Sequence, residues 1–469
     1  MDLIGRKDEI KELRLVQESH EAEFVVVYGR RRVGKTHLVN QFFNNNFSFK
    51  VTGIAERNAK KKQLSNFGES LRKYGSPLCP DPTSWTEAFS FLRRLLENER
   101  TNNGKKVVFI DELPYMNTKR SDLVSALEHF WNDWGSTQTN LLLIVCGSAT
   151  SWIVKNIVNN KGGLHNRLTR KIYLRPFTLS ETRQYLDSRG IVMEDRDILE
   201  TYMIMGGIPY YLRMLEKGKS LAQNIDEMFF VRKGRLDGEF HNLYAALYEE
   251  SDQYVKVVRA ISSLNRGLSR AEIARQTGLA DGGGLTVILQ DLDQCDIIRG
   301  YSGYGKKKKG ILYQLTDFYT FFYFKFIEKH IPSEKGFWKF QLNAPSHNAW
   351  AGYAFEQLCL YHYPQIEKAL GINGILTSAS SWHSDSAQID LIIDRADRII
   401  DICEMKYWSG EFSITKKYAE ELRHKMATFA SEQKLRKALH LVMITTYGTK
   451  KNEYYNMIQG EVTMDDLFA

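Results

Sequence analysis

Gly29-Arg30-Arg31-Arg32-Val33-Gly34-Lys35-Thr36 is the stretch that decides the fold. It has the spacing GxxxxGK(S/T), with an apolar, β-branched run at residues 24–28 before it and a helical pattern at 37–43 after it. A turn so placed directs backbone N–H groups inward at a helix N-terminus, where the helix dipole favours an anion. The two glycines give the backbone the freedom this needs, Lys35 is spaced to reach the outer phosphates of a nucleotide, and the Thr36 hydroxyl suits a magnesium ion.

Working outward, short apolar runs recur at residues 107–110 and 141–146, separated by helix-length polar stretches. Runs of this length and composition predict central strands of a parallel sheet covered on both faces. The second run ends in Asp111-Glu112. The expected roles are a water-mediated hold on the metal for Asp111 and polarisation of an attacking water for Glu112.

The flanking segments resemble the AAA+ and STAND-like P-loop ATPases of archaeal and bacterial type. The similarity lies in Ile4-Gly5-Arg6-Lys7-Asp8-Glu9 before the first strand, Val145-Cys146-Gly147-Ser148 after the third run, His165-Asn166-Arg167 ahead of Leu174-Arg175-Pro176-Phe177, and Gly206-Gly207-Ile208-Pro209-Tyr210. The resemblance implies that Gly5 and Arg6 lie by the adenine and that Ser148 lies near the γ-phosphate or the attacking water. It implies an arginine finger at Arg167, supplied across a subunit interface or within the chain. The ATP-contacting set is then residues 29–36, His37, Gly5 and Arg6. No sensor-2 arginine is evident in the lid segment.

Beyond residue 177 the pattern becomes helical to about 250, the expected lid. Residues 251–318 resemble a winged helix-turn-helix, with Ser269 and Glu272 forming a capping box and Gly278 ending that helix. The helix at 285–294 would enter a major groove, and the lysine run 306–309 at the wing tip would approach phosphates. That helix carries Gln290 but also Asp291 and Asp293, and no arginine. A winged helix used as an internal clamp is the alternative. An aromatic-rich connector is expected at 319–343.

Residues 344–469 carry a second constellation. Asp390 stands in Gln388-Ile389-Asp390-Leu391-Ile392-Ile393, and Glu404 and Lys406 stand in Ile402-Cys403-Glu404-Met405-Lys406. Period-two alternation puts Glu404 and Lys406 on one strand face, and a turn at 395–398 makes a hairpin that brings Asp390 alongside. Further strands are expected around 374–378 and 439–445, with a long helix at 414–432. Two carboxylates and a lysine suit a magnesium or manganese ion and a metal-bound water. The arrangement resembles the PD-(D/E)xK nucleases, with Glu356 on the leading helix as a further acid and Ile389 in place of the motif's proline. A salt bridge on an exposed strand, or a nuclease-like fold that only binds, would use the same residues.

The fold class expected is α/β: a three-layer P-loop core (1–177), a helical lid (178–250), a winged helix (251–318), a connector (319–343) and a restriction-endonuclease-like domain (344–469). The 469 residues carry a net charge of +8, with 43% hydrophobic and 26% charged residues, which suits a globular protein with DNA among its partners. The N-terminus lacks an apolar leader, no apolar run approaches the roughly 20 residues of a membrane span, and five scattered cysteines fit a reducing cytoplasm. An oligomer is compatible with Arg167 acting in trans.

Overall fold

The computed structural model describes residues 3–56, 59–99, 104–118, 121–264, 266–305, 310–331, 336–342 and 344–469. The lysine run 306–309 lies outside the described residues. The chain divides into two compact units, Met1–Pro176 and Phe177–Ala469. No helix among the described residues is long and apolar enough to cross a membrane.

The first unit is built on five parallel strands, β1 (Glu23–Tyr28), β2 (Phe49–Thr52), β3 (Lys106–Asp111), β4 (Leu141–Gly147) and β5 (Arg170–Tyr173), in the order β2-β3-β4-β1-β5. The three central strands are the ones the apolar runs predict. β2 and β5 are edge strands of four residues each; β5, Arg-Lys-Ile-Tyr, buries Ile172 and exposes the two cations, so neither edge strand gives an apolar run. Along β1, Phe24 and Val26 face one side and Val25 and Val27 the other, and all four are fully buried. The first pair joins a core with Phe49, Phe67, Trp85, Leu127 and Trp131, where each such side chain contributes roughly 2 kcal/mol of transfer free energy. The helix Trp85–Asn98 that supplies Trp85 starts where the Ser84 hydroxyl accepts from the Glu87 N–H.

In the second unit, the segment expected as a connector supplies core residues. Tyr319, Phe322 and Trp338 are buried, and Phe322 packs its ring against Phe229, Trp338 and Trp350. Its aromatic residues are dense because it fills the space between helices. Before it in the chain stand the helices Ser251–Ser262, Arg270–Thr277 and Gly283–Gln294, with a small antiparallel sheet, β6 (Leu268–Ser269), β7 (Ile298–Tyr301) and β8 (Leu312–Leu315), in the order β6-β8-β7.

The last sheet contains β9 (Thr377–His383), β10 (Gln388–Arg395), β11 (Ile399–Lys406), β12 (Ala438–Thr445) and β13 (Gly460–Val462), in the order β13-β12-β11-β10-β9. β9 to β11 are antiparallel, whereas β11, β12 and β13 run parallel, with the helix Lys416–Gln433 as the β11–β12 crossover. The strand expected at 374–378 begins only at Thr377, because Gly371 at φ 68° and the turn after it use the preceding residues. β9 forms the sheet edge, and the segment after β7 extends it: Gly303 bridges Ser381, and the Tyr304 N–H donates to the Ser381 carbonyl at 2.7 Å.

Candidate active site

The residues of the first motif meet at the carboxyl ends of β1, β3 and β4. β4 lies between β1 and β3, so the loop after β4 stands between the glycine-rich turn and the acidic pair. Gly29 has φ 140°, and a Cβ there would lie 2.3 Å from the Leu174 carbonyl oxygen, so no other residue fits. Gly34 has φ 95° with open space around it, so there the backbone conformation demands glycine. Arg32 also takes a left-handed φ of 73° within the turn. Lys35 is buried, and its Nζ donates to the carbonyls of Gly29 and Arg30, each at 2.8 Å.

Thr36 Oγ1 donates to Asp111 Oδ2 at 2.9 Å, which ties the start of the helix Lys35–Phe42 to the end of β3. Burial, and then the neighbouring charge of Glu112, push the Asp111 carboxyl above its ordinary pKa, against the opposing hydrogen bond from Thr36. Glu112 takes a left-handed φ of 49°, and its Oε2 accepts from both the backbone N–H and the hydroxyl of Ser148, at 3.1 and 2.9 Å. Gly147 ends β4 where a Cβ would sit 2.5 Å from Pro114 Cδ, so the chain enters Ser148 with no room for a side chain before it.

Arg31 Nη1 donates to the Tyr115 hydroxyl at 2.9 Å, a partner that no motif announces. Arg30 and Val33 are buried within the turn; His37 is exposed, and partial desolvation lowers its imidazole pKa. Gly5 and Arg6 both have positive φ. The buried Arg6 guanidinium donates to the Val33 carbonyl at 3.1 Å and to the Arg175 carbonyl at 2.6 Å, so it braces the turn from behind. Arg167 is not with this group. It is exposed, and Thr169 just after it pairs with Phe24 at the amino end of β1. At about 3.3 Å per strand residue, that puts it roughly 15 Å from the turn after β1. In this structure the Arg167 side chain is not among the groups gathered at the turn.

Residues 3–215 match the family model described as an ATPase domain predominantly from Archaea. The match falls on all the strands and loops that carry Thr36, Asp111, Glu112 and Ser148. An uncharacterized protein of Methanocaldococcus jannaschii is 24% identical over 428 residues, which cover 90% of this chain and 91% of that one. An uncharacterized ATP-binding protein of the same organism is 40% identical over 42 residues, 9% of this chain and 71% of the other. The Walker-type ATPase of Pyrococcus abyssi shares the fold at a TM-score of 0.51 and 19% identity, over 69% of this chain and 96% of that one. The first unit has a P-loop ATPase fold.

The second constellation gathers on the C-terminal sheet. Leu391 pairs with Cys403 across the β10–β11 hairpin, which sets Asp390 alongside Glu404. Glu404 is buried, with Oε1 accepting from the Tyr418 hydroxyl at 2.6 Å and from Lys406 Nζ at 2.9 Å, while Oε2 accepts from Lys425 Nζ at 2.7 Å. Burial alone would raise the Glu404 pKa, but Lys406, Lys425 and these hydrogen bonds outweigh it and hold the carboxyl below its ordinary value. Asp390 Oδ1 accepts from Gln388 Nε2 at 2.6 Å, and burial raises its pKa. Glu356, on the helix Pro345–Tyr361, is pushed up to about 8 by burial first and by the charge of Asp390 second.

Among the described residues, no group of three or more His, Cys, Asp or Glu is arranged to hold a metal ion. Glu356, Asp390 and Glu404, expected as metal ligands, form no such group as the described side chains stand. Their mutual charge is relieved by protonation of Glu356 and by lysines on Glu404. Tyr418 and Lys425, both on the helix Lys416–Gln433, were missed; their spacing of seven residues puts them on one helix face, the only sequence signal for them.

Proposed function

We propose that the chain is an ATP-binding and ATP-hydrolysing AAA+/STAND-type ATPase that acts on DNA through a winged helix and a nuclease-like C-terminal domain. The observation that carries the ATPase reading is the pair of contacts Thr36–Asp111 and Ser148–Glu112, which align a hydroxyl and two carboxylates beside the glycine-rich turn. The match to an archaeal ATPase domain supports it. The donor set fits nucleotide and cation: Thr36 and Asp111 offer hard oxygens, and the space around Gly34 leaves the turn accessible. Thr36, and Asp111 through water, would hold magnesium, which supplies positive charge against the phosphates.

The chain's own residues do the rest. Lys35 exchanges the Gly29 and Arg30 carbonyls for phosphate oxygens. Glu112 orients the attacking water and takes up its proton, and Ser148 fixes the rotamer of that carboxylate. Arg167 is proposed as a finger for a neighbouring subunit. Lys35→Ala should abolish nucleotide binding, measured with a fluorescent ATP analogue; tight binding by this variant would sink the assignment.

For the C-terminal domain, Asp390, Glu404 and Lys406 are proposed as the catalytic set of a magnesium- or manganese-dependent nuclease, with Glu356 beside them. A second reading, a STAND-like switch whose C-terminal domain only binds DNA or protein, is favoured by the lysines that occupy Glu404 and by the pairing of Gly303 with Ser381. DNA-stimulated ATP hydrolysis separates the two, since a pure protein switch shows none.

A further inference from the structure

An open groove of about 530 Å³ lies in the first unit, between the outer edge of β2 and the helix Lys60–Lys73. That volume falls in the range of roughly 300–1,000 Å³ typical of small-molecule sites. Lys50 and Thr52 of β2 line one side, and Ser70, Lys73 and Tyr74 line the other. None of these five residues is buried, so their polar ends are open to a ligand. No aspartate or glutamate belongs to the lining among the described residues. The groove has a fixed width, because Asn66 Nδ2 on the helix donates to the Thr52 carbonyl at 2.9 Å.

Lys50 is the group that lacks a counter-charge. Its Nζ donates to Asn40 Oδ1 at 2.7 Å and stands 5.5 and 5.6 Å from the Phe47 and Phe109 ring centres. Loss of water lowers its pKa first; the charge of Asp111 opposes that shift, and the charge of Lys73 adds to it. Asp111 itself is off the lining and is engaged by Thr36. Lys73 stands 5.5 Å from the Tyr74 ring, and neither lysine forms an ion pair among the described residues. Two ammonium groups thus repel each other over one groove, and the half-buried one has only neutral partners within reach. Desolvating a cation in that way is costly, and an anion between the two would offset the cost.

The hydroxyls of Thr52, Ser70 and Tyr74 make no hydrogen bond within the described chain, so they are available as further donors. A phosphate has enough oxygens to meet both lysines and a hydroxyl at once. Three strand spacings of about 4.8 Å separate β2 from β1, which sets the groove roughly 14 Å from the glycine-rich turn. We propose that this groove binds a phosphate group of a ligand other than the nucleotide at residues 29–36, held by Lys50 and Lys73 with the Ser70 and Thr52 hydroxyls.

The test is acetylation footprinting of the full chain, read by mass spectrometry at each lysine, with ADP present throughout to fill the glycine-rich turn. Pyrophosphate should slow acetylation of Lys50 and Lys73 about tenfold and leave Lys416, in the other unit, unchanged. Calorimetry should show pyrophosphate binding weakened about tenfold by Lys50→Met and by Lys73→Met, each of which keeps the apolar stem. Lys73 is exposed, so its variant keeps the test open should Lys50→Met fold poorly. A twelve-nucleotide thymidine oligomer is the second probe. Protection by pyrophosphate assigns a small phosphorylated ligand, and protection by the oligomer alone assigns the phosphates of a nucleic-acid backbone; either sustains the site. Protection by neither, equal protection by sodium acetate, or binding indifferent to both variants overturns the proposal. Protection that vanishes in Lys35→Ala also overturns it, since the effect then originates at the nucleotide's turn. The footprint reads Lys50 and Lys73 directly, so failure here leaves the ATPase reading standing, and loss of that reading leaves this site testable.

Discussion

The two acidic sites of this chain hold their carboxylates in opposite ways. In the first unit, Asp111 and Glu112 are hydrogen-bonded to the uncharged hydroxyls of Thr36 and Ser148. In the C-terminal sheet, Glu404 is held by two ammonium groups and a phenol. A neutral hydroxyl contributes about 1 kcal/mol net and can be re-used as a ligand or exchanged for one, whereas a buried carboxylate–lysine contact costs several times that to break. The carboxylates of the first site can thus exchange their partners at little cost. The second is neutralised from within, and whatever binds there has to compete with Lys406 and Lys425.

The sharpest way to break this contrast is at Glu112. Glu112→Gln keeps the size and one acceptor for Ser148 but removes the charge proposed to polarise water. ATP affinity should stay within a few-fold of wild type while turnover falls by about 10²–10³, read by steady-state phosphate release. Turnover within tenfold of wild type would remove Glu112 from the catalytic role and leave Ser148–Glu112 as a structural contact.

Next in size is Lys425→Met, which strips Glu404 Oε2 of the ammonium group 2.7 Å away while preserving the apolar stem. The second unit should lose about 3 kcal/mol of stability, measured by urea unfolding, because a buried charge is left half-compensated. Adding Glu404→Gln should restore part of that loss, a positive coupling in a double-mutant cycle. No loss in the single variant would show that Lys425 is incidental and that Glu404 is as open to a metal as Asp111.

The same contrast explains what sequence could reveal. The gathering of Lys35, Thr36, Asp111, Glu112 and Ser148 was legible, because Lys35 and Thr36 are contiguous and Asp111, Glu112 and Ser148 each close an apolar strand. Local pattern and tertiary placement coincide there. Arg31–Tyr115 and the Arg6 contact with Val33 were not legible, since each joins segments whose proximity only the folded sheet creates. In the C-terminal sheet the hairpin carrying Asp390 and Glu404 could be read from period-two alternation. The groups that decide its electrostatics could not: Tyr418 and Lys425 come from a crossover helix with no motif of its own. The aromatic stretch at 319–343 was misread because it has neither helical nor strand periodicity, although density of rings such as Tyr319, Phe322 and Trp338 is itself a burial signal. Edge strands β2 and β5 were invisible for the converse reason, being too short and too polar on their open sides.

A last test lies in the pH dependence of the second site. Glu356 in the folded chain has a pKa of about 8, raised from 4.5 by burial first, by Asp390 and Glu404 next, with Lys406 and Lys425 opposing. The folded state therefore keeps a proton there that the unfolded chain gives up above its ordinary carboxylate range. The stability this proton linkage confers is complete below about pH 4.5 and is lost progressively as the pH rises towards 8. In EDTA, the wild-type melting temperature should fall across that window more than that of Glu356→Gln, which carries the neutral form at every pH. The gap between the two proteins should widen from pH 5 to 8 and then level off. Parallel curves would mean that Glu356 is ionised in the folded chain, so that the charge of the cluster is not relieved by protonation and the C-terminal site stands closer to the first than its lysines suggest.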